Sequence, residues 1–291
     1  MKPAELIRLA INGRTDIGRV RDENEDNIGW FSHPSLPFGF VVIADGMGGY
    51  TGGSHASRLA VRRITDTLET IPGSTFVACT PDQQLLMLHA TIMDALNAAN
   101  NDILNAKVVN PQLSNMGSTV VLAVVWQDHV TVAHLGDSRA YLWSRDGLVQ
   151  LTRDHSLVQE MIDNGSLTVT QARSSRVRNH ITRALGVTEY IEPSINSYAL
   201  SQNTLLMLCS DGLTEYMDHD ELEYVLSTHR PALECCYRFI AEANDSGGKD
   251  NISVGIIEYT LLSGEGTSES AVSEAFPEQE DVTVRKASQN Q

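Results

Sequence analysis

Along the first 260 residues, short apolar stretches alternate with polar turns, and the spacing of the apolar residues differs from one stretch to the next. One group of stretches is short and rich in β-branched and aromatic residues, which is typical of strands. These predicted strands are residues 20–31, 40–44, 118–126, 130–134, 140–143, 204–209 and 252–259. They do not alternate simply with helices.

A second group of stretches has the spacing of an amphipathic helix. In residues 54–68 the apolar side chains recur every four positions, at Ala56, Ala60, Ile64 and Leu68. The same pattern predicts helices in three further segments, 81–107, 218–226 and 232–243. Strands that bunch together and helices that come in pairs predict an α+β fold in which helices pack on the outer faces of antiparallel sheets.

Composition and charge narrow the class of protein. The chain has 291 residues, of which 42% are hydrophobic, enough for a sizeable core. Its net charge of -16 makes nucleic acid and anionic membranes unfavourable partners, because both would repel it. The longest apolar run, 120–126, is far shorter than the roughly 18 residues of a membrane span, and the N-terminus has no apolar signal core. We therefore expect a cytoplasmic protein.

The cysteines and the C-terminal segment add two further expectations. None of the four cysteines has the paired spacing of a metal site, which favours reduced structural thiols. After residue 260 the composition becomes rich in Ser, Glu, Gln, Gly and Thr, and such a segment buries too little apolar surface to offset its ordering entropy. The sequence predicts one domain over 1–260 and a disordered acidic tail over 261–291.

The candidate chemistry lies in aspartates beside glycines. Asp45, Asp137 and Asp211 each stand at the end of an apolar run with glycine next to them. Any one of them could be a turn residue, since Asp-Gly is common in turns. Acids from several strand ends can also converge, and converging carboxylates without His or Cys favour an oxygen-liganded ion such as Mg²⁺ or Mn²⁺.

Two other motif interpretations fail on specific residues. Asp22-x-Asn24-x-Asp26 begins like a calcium-binding EF-hand loop, but Asn27 stands where that loop needs glycine and His33 where it needs glutamate. Residues 48–54 have the spacing of a nucleotide-binding P-loop, but they end in Gly53-Ser54 instead of Gly-Lys.

Taken together, the motifs resemble those of the metal-dependent PPM phosphatases, the protein phosphatase type 2C family, and most of all its bacterial Ser/Thr phosphatase branch. The resemblance spans about residues 11–259. In chain order its blocks are Thr15-Asp16-Ile17-Gly18-x-x-Arg21-x-x-Asn24-Glu25-Asp26, Asp45-Gly46-Met47-Gly48-Gly49, Gly136-Asp137-Ser138-Arg139, Leu151-Thr152-x-Asp154-His155-Ser156, Thr182-Arg183-Ala184-Leu185-Gly186, Ser210-Asp211-Gly212 and Asp250-Asn251-Ile252-Ser253.

The resemblance implies a four-layer α-β-β-α sandwich with a flap over about 156–200 and two Mn²⁺ or Mg²⁺ ions at one end of the central sheets. Asp45 would bridge both ions. Asp211 and Asp250 would complete the first site, and Glu25 and the Gly46 carbonyl the second. A further set of roles is implied for Asp26 (orienting water), Arg21 (binding phosphate) and Asp137 (a third ion found in some bacterial members).

The implied reaction is hydrolysis of phosphoserine or phosphothreonine by a hydroxide that bridges the two metals, without a covalent phosphoenzyme. Met47 stands where the animal enzymes have a histidine, and a thioether cannot be a general acid, so we expect metal-bound water to protonate the leaving group. In the flap, Arg173 and Arg176 belong to a run of arginines without acids. They could attract an anionic phosphoprotein or form a solvated, salt-bridged surface.

Two classes of function are consistent with these residues. The first is a phosphatase that opposes a bacterial Ser/Thr kinase, acts on that kinase and its substrates, and works as a monomer. The second is a binding module that keeps the fold without turnover. The presence of Glu25, Asp45, Asp211, Asp250 and Arg21 favours the enzyme. A phosphatase of anti-sigma antagonist proteins is a minor alternative. Such phosphatases share the fold but usually carry sensor domains, and this sequence shows none.

Overall fold

Two antiparallel sheets stack face to face in the computed structural model, which describes residues 6–49, 52–200 and 203–262. The strands of the first sheet, in spatial order, are β1 (Leu6–Asp16), β11 (Ile252–Leu262), β10 (Thr204–Cys209), β7 (Arg139–Ser144) and β8 (Gly147–Gln150). Those of the second sheet are β2 (Asp26–Ser32), β3 (Phe38–Met47), β5 (Val120–Trp126), β6 (His129–Leu135) and β9 (Ser194–Ala199). A two-residue strand, β4 (Gly117–Ser118), pairs with the end of β3.

Helices cover the outer face of each sheet. The second sheet is covered by α1 (Gly52–Leu68) and α3 (Pro81–Val109), with the short α2 (Ser74–Val77) between them. The first sheet is covered by α7 (His219–Thr228) and α8 (Ala232–Asp245), which follow the single turn of α6 (Asp211–Thr214). Two short helices, α4 (Leu157–Asp163) and α5 (Val169–Arg173), lie between β8 and β9 in the chain.

The burial pattern explains why the central strands are apolar at every position. In β3, Val41 and Ile43 pack between the two sheets, whereas Phe40 and Val42 face α1 and α3. A strand covered on both faces needs apolar residues at consecutive positions, whereas a half-exposed strand alternates. This packing makes three buried layers and confirms the predicted α-β-β-α sandwich.

The predicted strand over 20–31 is partly wrong, and β1 was not predicted. Residues 17–25 form a loop, and only Asp26–Ser32 form a strand. β1 pairs with β11 over its whole length, from Leu6 opposite Leu262 to Asp16 opposite Ile252. Glycine and charged residues weaken its local strand signal, so its conformation depends on this distant partner.

The segment predicted as a flap, about 156–200, contains α4, α5 and then β9. β9 pairs with β6 at the edge of the second sheet, so only the part before it lies outside the sheets. Of the predicted tail, β11 includes residues 261 and 262, and 263–291 lies outside the described residues. The helices of the described chain are all too short or too polar to cross a membrane.

Candidate metal centre

Six acidic side chains that the sequence singles out lie where strands of both sheets begin or end. In chain order they are Glu25 before β2, Asp26 at its start, Asp45 near the end of β3, Asp137 after β6, Asp211 after β10 and Asp250 before β11. Asp26 and Asp45 are direct partners across β2 and β3. The pKa of Asp45 is raised well above its ordinary value, first by burial and then by the charges of Asp26, Asp211, Asp137 and Asp250. These five aspartates therefore form one electrostatic cluster.

The backbone of Asp45 is fixed by the chain that follows β4. Its amide N–H donates to Thr119 Oγ1 over 3.1 Å, and its carbonyl accepts from the Thr119 amide over 2.8 Å. The Ser118 hydroxyl donates to the same carbonyl over 3.0 Å. With both backbone groups bonded on this side, the Asp45 carboxylate is held at the strand end among the other acids.

Thr119 also reaches the turn that carries Asp137. Its Oγ1 lies 2.8 Å from Ser138 Oγ, and the turn crosses Thr119 so closely that a side chain on Gly136 would clash with it. Nothing in the sequence identified Thr119, because its partners are far away in the chain. It connects the supports of two candidate ligands.

The loop before β2 is held by Asn251. The Glu25 amide donates to Asn251 Oδ1 over 2.8 Å, and Asn251 Nδ2 donates to the carbonyls of Ile17 and Glu23 over 2.9 and 3.0 Å. Asn251 is buried. Sequence reasoning gave it no role, although its position next to Asp250 in a shared motif was a usable signal.

The N-terminus of α1 approaches Glu25 from the other side. A β-carbon on Gly53 would lie 2.2 Å from Glu25 Oε1, and one on Gly46 would lie 2.1 Å from the Gly53 carbonyl oxygen. Only residues without side chains allow this approach. It places the Gly46 backbone beside Glu25, as a site that uses the Gly46 carbonyl requires.

Asp26 lies between the two sheets and is 4% exposed. Its Oδ2 accepts a hydrogen bond of 2.7 Å from the Ser210 hydroxyl, which itself accepts from the Ser253 amide. Burial nevertheless raises the pKa of Asp26 to about 7. Ser210, which directly precedes Asp211, thus ties β2 of one sheet to β10 and β11 of the other.

Arg21 lies at the solvent side of the cluster. Its Nη2 is 2.8 Å from Asp250 Oδ2 and its Nη1 is 3.7 Å from Glu25 Oε2, while 46% of the side chain is exposed. The guanidinium is held by two candidate ligands, and its partial exposure leaves donors open to an anionic group.

Arg139, two residues after Asp137, pairs with Asp154 instead of Asp137. Its guanidinium makes a bidentate contact with Asp154, with distances of 2.9 Å to Oδ1 and 2.6 Å to Oδ2. Asp137 Oδ1 is buried and has no hydrogen-bond partner among the described residues. Burial, with the charges of Asp211 and Asp154, raises the pKa of Asp137 to about 7.

The carboxylates as a group fit divalent cations. Four of their buried oxygens lack a hydrogen-bond partner in the described chain: Glu25 Oε1, Asp26 Oδ1, Asp137 Oδ1 and Asp211 Oδ1. A buried carboxylate oxygen without a partner is costly and calls for an explanation, of which an ion is one. Burial and the charge of Asp250 also raise the pKa of Asp211 to about 6, so the cluster would retain protons without positive charge nearby.

Within the described residues, no three His, Cys, Asp or Glu side chains surround a single point closely enough to hold an ion by themselves. This arrangement differs from a closed structural site. Mg²⁺ and similar ions keep several waters, so protein oxygens need to supply only part of their coordination shell. The backbone carbonyl of Gly46 would add one further oxygen.

The described flap arginines make other contacts or face solvent. Arg178 pairs with Glu215 at 3.2 Å, directly after α6, so one member of the arginine run has an acidic partner after all. Arg176 is exposed. The side chain of Arg173 lies outside the described part of the chain. Among the described contacts, none joins Arg176 to an acid of the cluster.

The chain is similar to known proteins of one family. The family model described as Protein phosphatase 2C matches residues 18–246. The serine/threonine phosphatase stp of Listeria innocua is 37% identical over 249 residues, which is 86% of this chain and 95% of that protein. The serine/threonine protein phosphatase PstP of Mycobacterium tuberculosis is 31% identical over 250 residues, 86% of this chain and 44% of that protein.

Solved structures show the same fold. Stp1 of Staphylococcus aureus superposes with a TM-score of 0.77 at 28% identity, covering 86% of this chain and 95% of that one. The catalytic domain of PstP in complex with two manganese ions superposes with a TM-score of 0.74 at 27% identity, covering 88% of this chain and all of that one. The chain belongs to the protein phosphatase 2C family, as a Ser/Thr phosphatase of the bacterial type.

Proposed function

We propose that the acidic cluster at the strand ends is where this protein hydrolyses phosphoserine and phosphothreonine. Asp45 would be shared by two ions, with Asp211 and Asp250 completing one site and Glu25 and the Gly46 carbonyl the other. Asp137 is the candidate for a third ion. The observation that carries the proposal is the set of buried, unpaired carboxylate oxygens contributed by both sheets.

When bound there, Mn²⁺ or Mg²⁺ supplies Lewis acidity, which lowers the pKa of water and neutralises phosphoryl oxygens. Arg21 would bind the phosphoryl group through the guanidinium donors that its contacts with Asp250 and Glu25 leave open. Those two acids also fix the direction of the guanidinium, so the substrate phosphate meets an oriented group.

Asp26 would orient the attacking water. Ser210 occupies its Oδ2, and its Oδ1 has no partner in the described chain and can accept a hydrogen bond. Because Ser210 is fixed in turn by the Ser253 amide, the Asp26 carboxylate cannot rotate freely. Met47 cannot donate the proton that the leaving oxygen requires.

The family activity makes phosphorylated proteins the substrates. We propose further that these are a Ser/Thr kinase and its targets, and that the enzyme acts on them as a monomer in the cytoplasm. The support is chemical: phosphoserine and phosphothreonine in proteins are products of such kinases, and the four cysteines are free thiols. We also propose that Arg173 and Arg176 help to attract these anionic proteins, supported by the exposure of Arg176.

Hydrolysis of a phosphothreonine peptide with EDTA, Mg²⁺ or Mn²⁺ tests the site. Turnover should require Mg²⁺ or Mn²⁺. Removing an outer partner of a metal ligand usually lowers activity by roughly 10–100-fold. Asp45→Asn and Asp211→Asn should each lower activity by more than this, because each removes a ligand itself.

Asp146→Asn is the matched control, because Asp146 is an exposed carboxylate in the turn between β7 and β8. It should keep wild-type turnover. Full activity in Asp45→Asn or Asp211→Asn would show that the substituted residue is not a metal ligand. If wild-type protein is folded but shows no turnover with any metal ion, the hypothesis of a binding module without turnover would be favoured over that of an enzyme.

A further inference from the structure

A small open cavity of about 260 Å³ lies at the base of the segment between α5 and β9. Apolar side chains form much of its wall, and one cation, Arg183, and one acid, Glu192, lie beside them. The lining residues used below are Leu135, Arg183, Val187, Thr188, Tyr190 and Ile191. Its volume is below the 300–1,000 Å³ of typical small-molecule pockets, so it suits a single side chain better than a whole ligand.

The cavity adjoins the metal centre on two sides. Leu135 directly precedes Gly136 and Asp137. On the other side, a β-carbon on Gly117 would lie 2.8 Å from Met47 Cε and 3.5 Å from Val187 Cγ2. Met47 follows Gly46 and pairs with Gly117, so one wall of the cavity borders the end of β3.

The two most prominent lining side chains are unusually exposed for their type. Val187 is 59% exposed and Tyr190 is 83% exposed. Scattered apolar side chains on a surface need no explanation, but those grouped around a concave opening beside an active site indicate recognition. The Arg183 guanidinium is directed to the Glu192 carbonyl at 3.2 Å, at the polar edge of the opening.

The wall that carries Val187 is held in place by α3. The buried side chain of Asn100 accepts from the Gly186 amide over 2.6 Å and donates to the Thr188 carbonyl over 2.9 Å. The Lys107 ammonium donates to the Gly186 carbonyl. A wall fixed from both sides of Val187 makes the cavity pre-formed, which reduces the ordering cost of binding.

We propose that this cavity receives an apolar side chain of the phosphoprotein substrate, two or three residues from the phosphorylated threonine. The proposal rests on the function proposed above. Leu185, which directly follows the lining residue Ala184, pairs with Ser118, which pairs with Gly46, so the chain beside the cavity wall is two chain spacings from the end of β3. Two spacings of about 4.8 Å equal the reach of about three extended residues.

Phosphothreonine peptides that differ only in the place of a single leucine test the proposal. Leucine is placed at each position from three before to three after the phosphothreonine, and every peptide is compared with its aspartate counterpart at the same position. At one position two or three residues away, kcat/KM should favour leucine by about tenfold, a usual discrimination for one apolar contact. p-Nitrophenyl phosphate serves as a substrate with no flanking residues.

In Val187→Asp, the ratio of kcat/KM for the leucine peptide to kcat/KM for the aspartate peptide at that position should be close to one. Val149→Asp is the matched control, since Val149 is a similarly exposed valine on β8 of the other sheet, and its ratio should stay as in wild type. A wild-type enzyme that cleaves p-nitrophenyl phosphate and all peptides without a positional preference overturns the cavity proposal alone. A preference that survives in Val187→Asp also overturns it, whereas absence of all hydrolysis overturns the proposed function.

Discussion

At the scale of single residues, the acids of this centre depend on neutral side chains that hold their backbone. Thr119, Ser210 and Asn251 each connect an acid of the centre to a segment distant in sequence. Their hydrogen bonds replace water at buried backbone groups, so removing one leaves an unpaired donor or acceptor. The geometry of the carboxylates is therefore set by residues that do not themselves touch the substrate.

Thr119→Val should weaken Mn²⁺ binding by about 10–100-fold, the usual effect of removing an outer support of a metal ligand. Valine keeps the shape of threonine but leaves the Asp45 amide and the Ser138 hydroxyl without their shared partner. Isothermal titration calorimetry with Mn²⁺ measures this directly.

Thr119→Ser is the conservative control, because it retains the hydroxyl, and it should bind Mn²⁺ nearly as wild type does. Equal Mn²⁺ affinity in the valine variant would show that Thr119 does not position the centre.

At the scale of elements, the start of the flap segment is tied to the edge of the second sheet by two histidines. The rings of His134 on β6 and His155 before α4 stack at 4.4 Å, and His155 Nε2 lies 3.0 Å from Ser194 Oγ at the start of β9. Burial, the neighbouring His134 and Arg183 lower the pKa of His155 to about 4. The pair therefore packs as neutral rings.

The contribution of His155 to stability should be lost as pH decreases from about 6.5 towards 4, so wild type should lose stability relative to His155→Gln over this range. Because the folded pKa of His155 lies below its unfolded value, the unfolded chain binds more protons in this range. After allowance for solvent screening, the contribution is of order 1–3 kcal/mol. Urea unfolding at pH 7 and pH 4.5 gives the two free energies of unfolding.

His219→Gln, at an exposed position at the start of α7, controls for the replacement of a histidine in general. If the free energy of unfolding changes by the same amount in His155→Gln and in wild type between these pH values, the buried pair does not contribute to the pH dependence of stability.

At the scale of the whole molecule, the metal centre lies where two sheets meet, and acids from both sheets contribute to it. Asp45 belongs to the second sheet, whereas Asp211 and Asp250 flank strands of the first. Repulsion between these acids opposes the packing of the two sheets. An ion that binds them only in the folded state should therefore stabilise the whole domain.

Free Mn²⁺ at about 100 times its dissociation constant should add about 2.7 kcal/mol of stability, which corresponds to an increase in melting temperature of about 5–10 °C. EDTA should reverse the increase. Differential scanning calorimetry with and without Mn²⁺ measures it, and Asp211→Asn should lose most of it while Asp146→Asn keeps it. A melting temperature that does not respond to Mn²⁺ in wild type would contradict a centre shared by both sheets.

Local patterns were sufficient for much of the fold. Strands such as β5 and β10 and the helices α1 and α3 were predicted because their apolar period is strong and complete within one segment. β1 and β9 were missed, since one is interrupted by glycine and charge and the other is a polar edge strand. Both exist because a neighbouring strand supplies their hydrogen bonds.

The sequence by itself determined which acids are candidates, because Asp45, Asp137 and Asp211 stand beside glycines at the ends of apolar runs. It also determined the chemistry, since acids without His or Cys favour Mg²⁺ or Mn²⁺. Only the tertiary structure decided that Arg139 pairs with Asp154, that Thr119 supports Asp45, and that Val187 borders the centre. These contacts join residues far apart in the chain, and their partners are chosen by the packing of two sheets rather than by any local pattern.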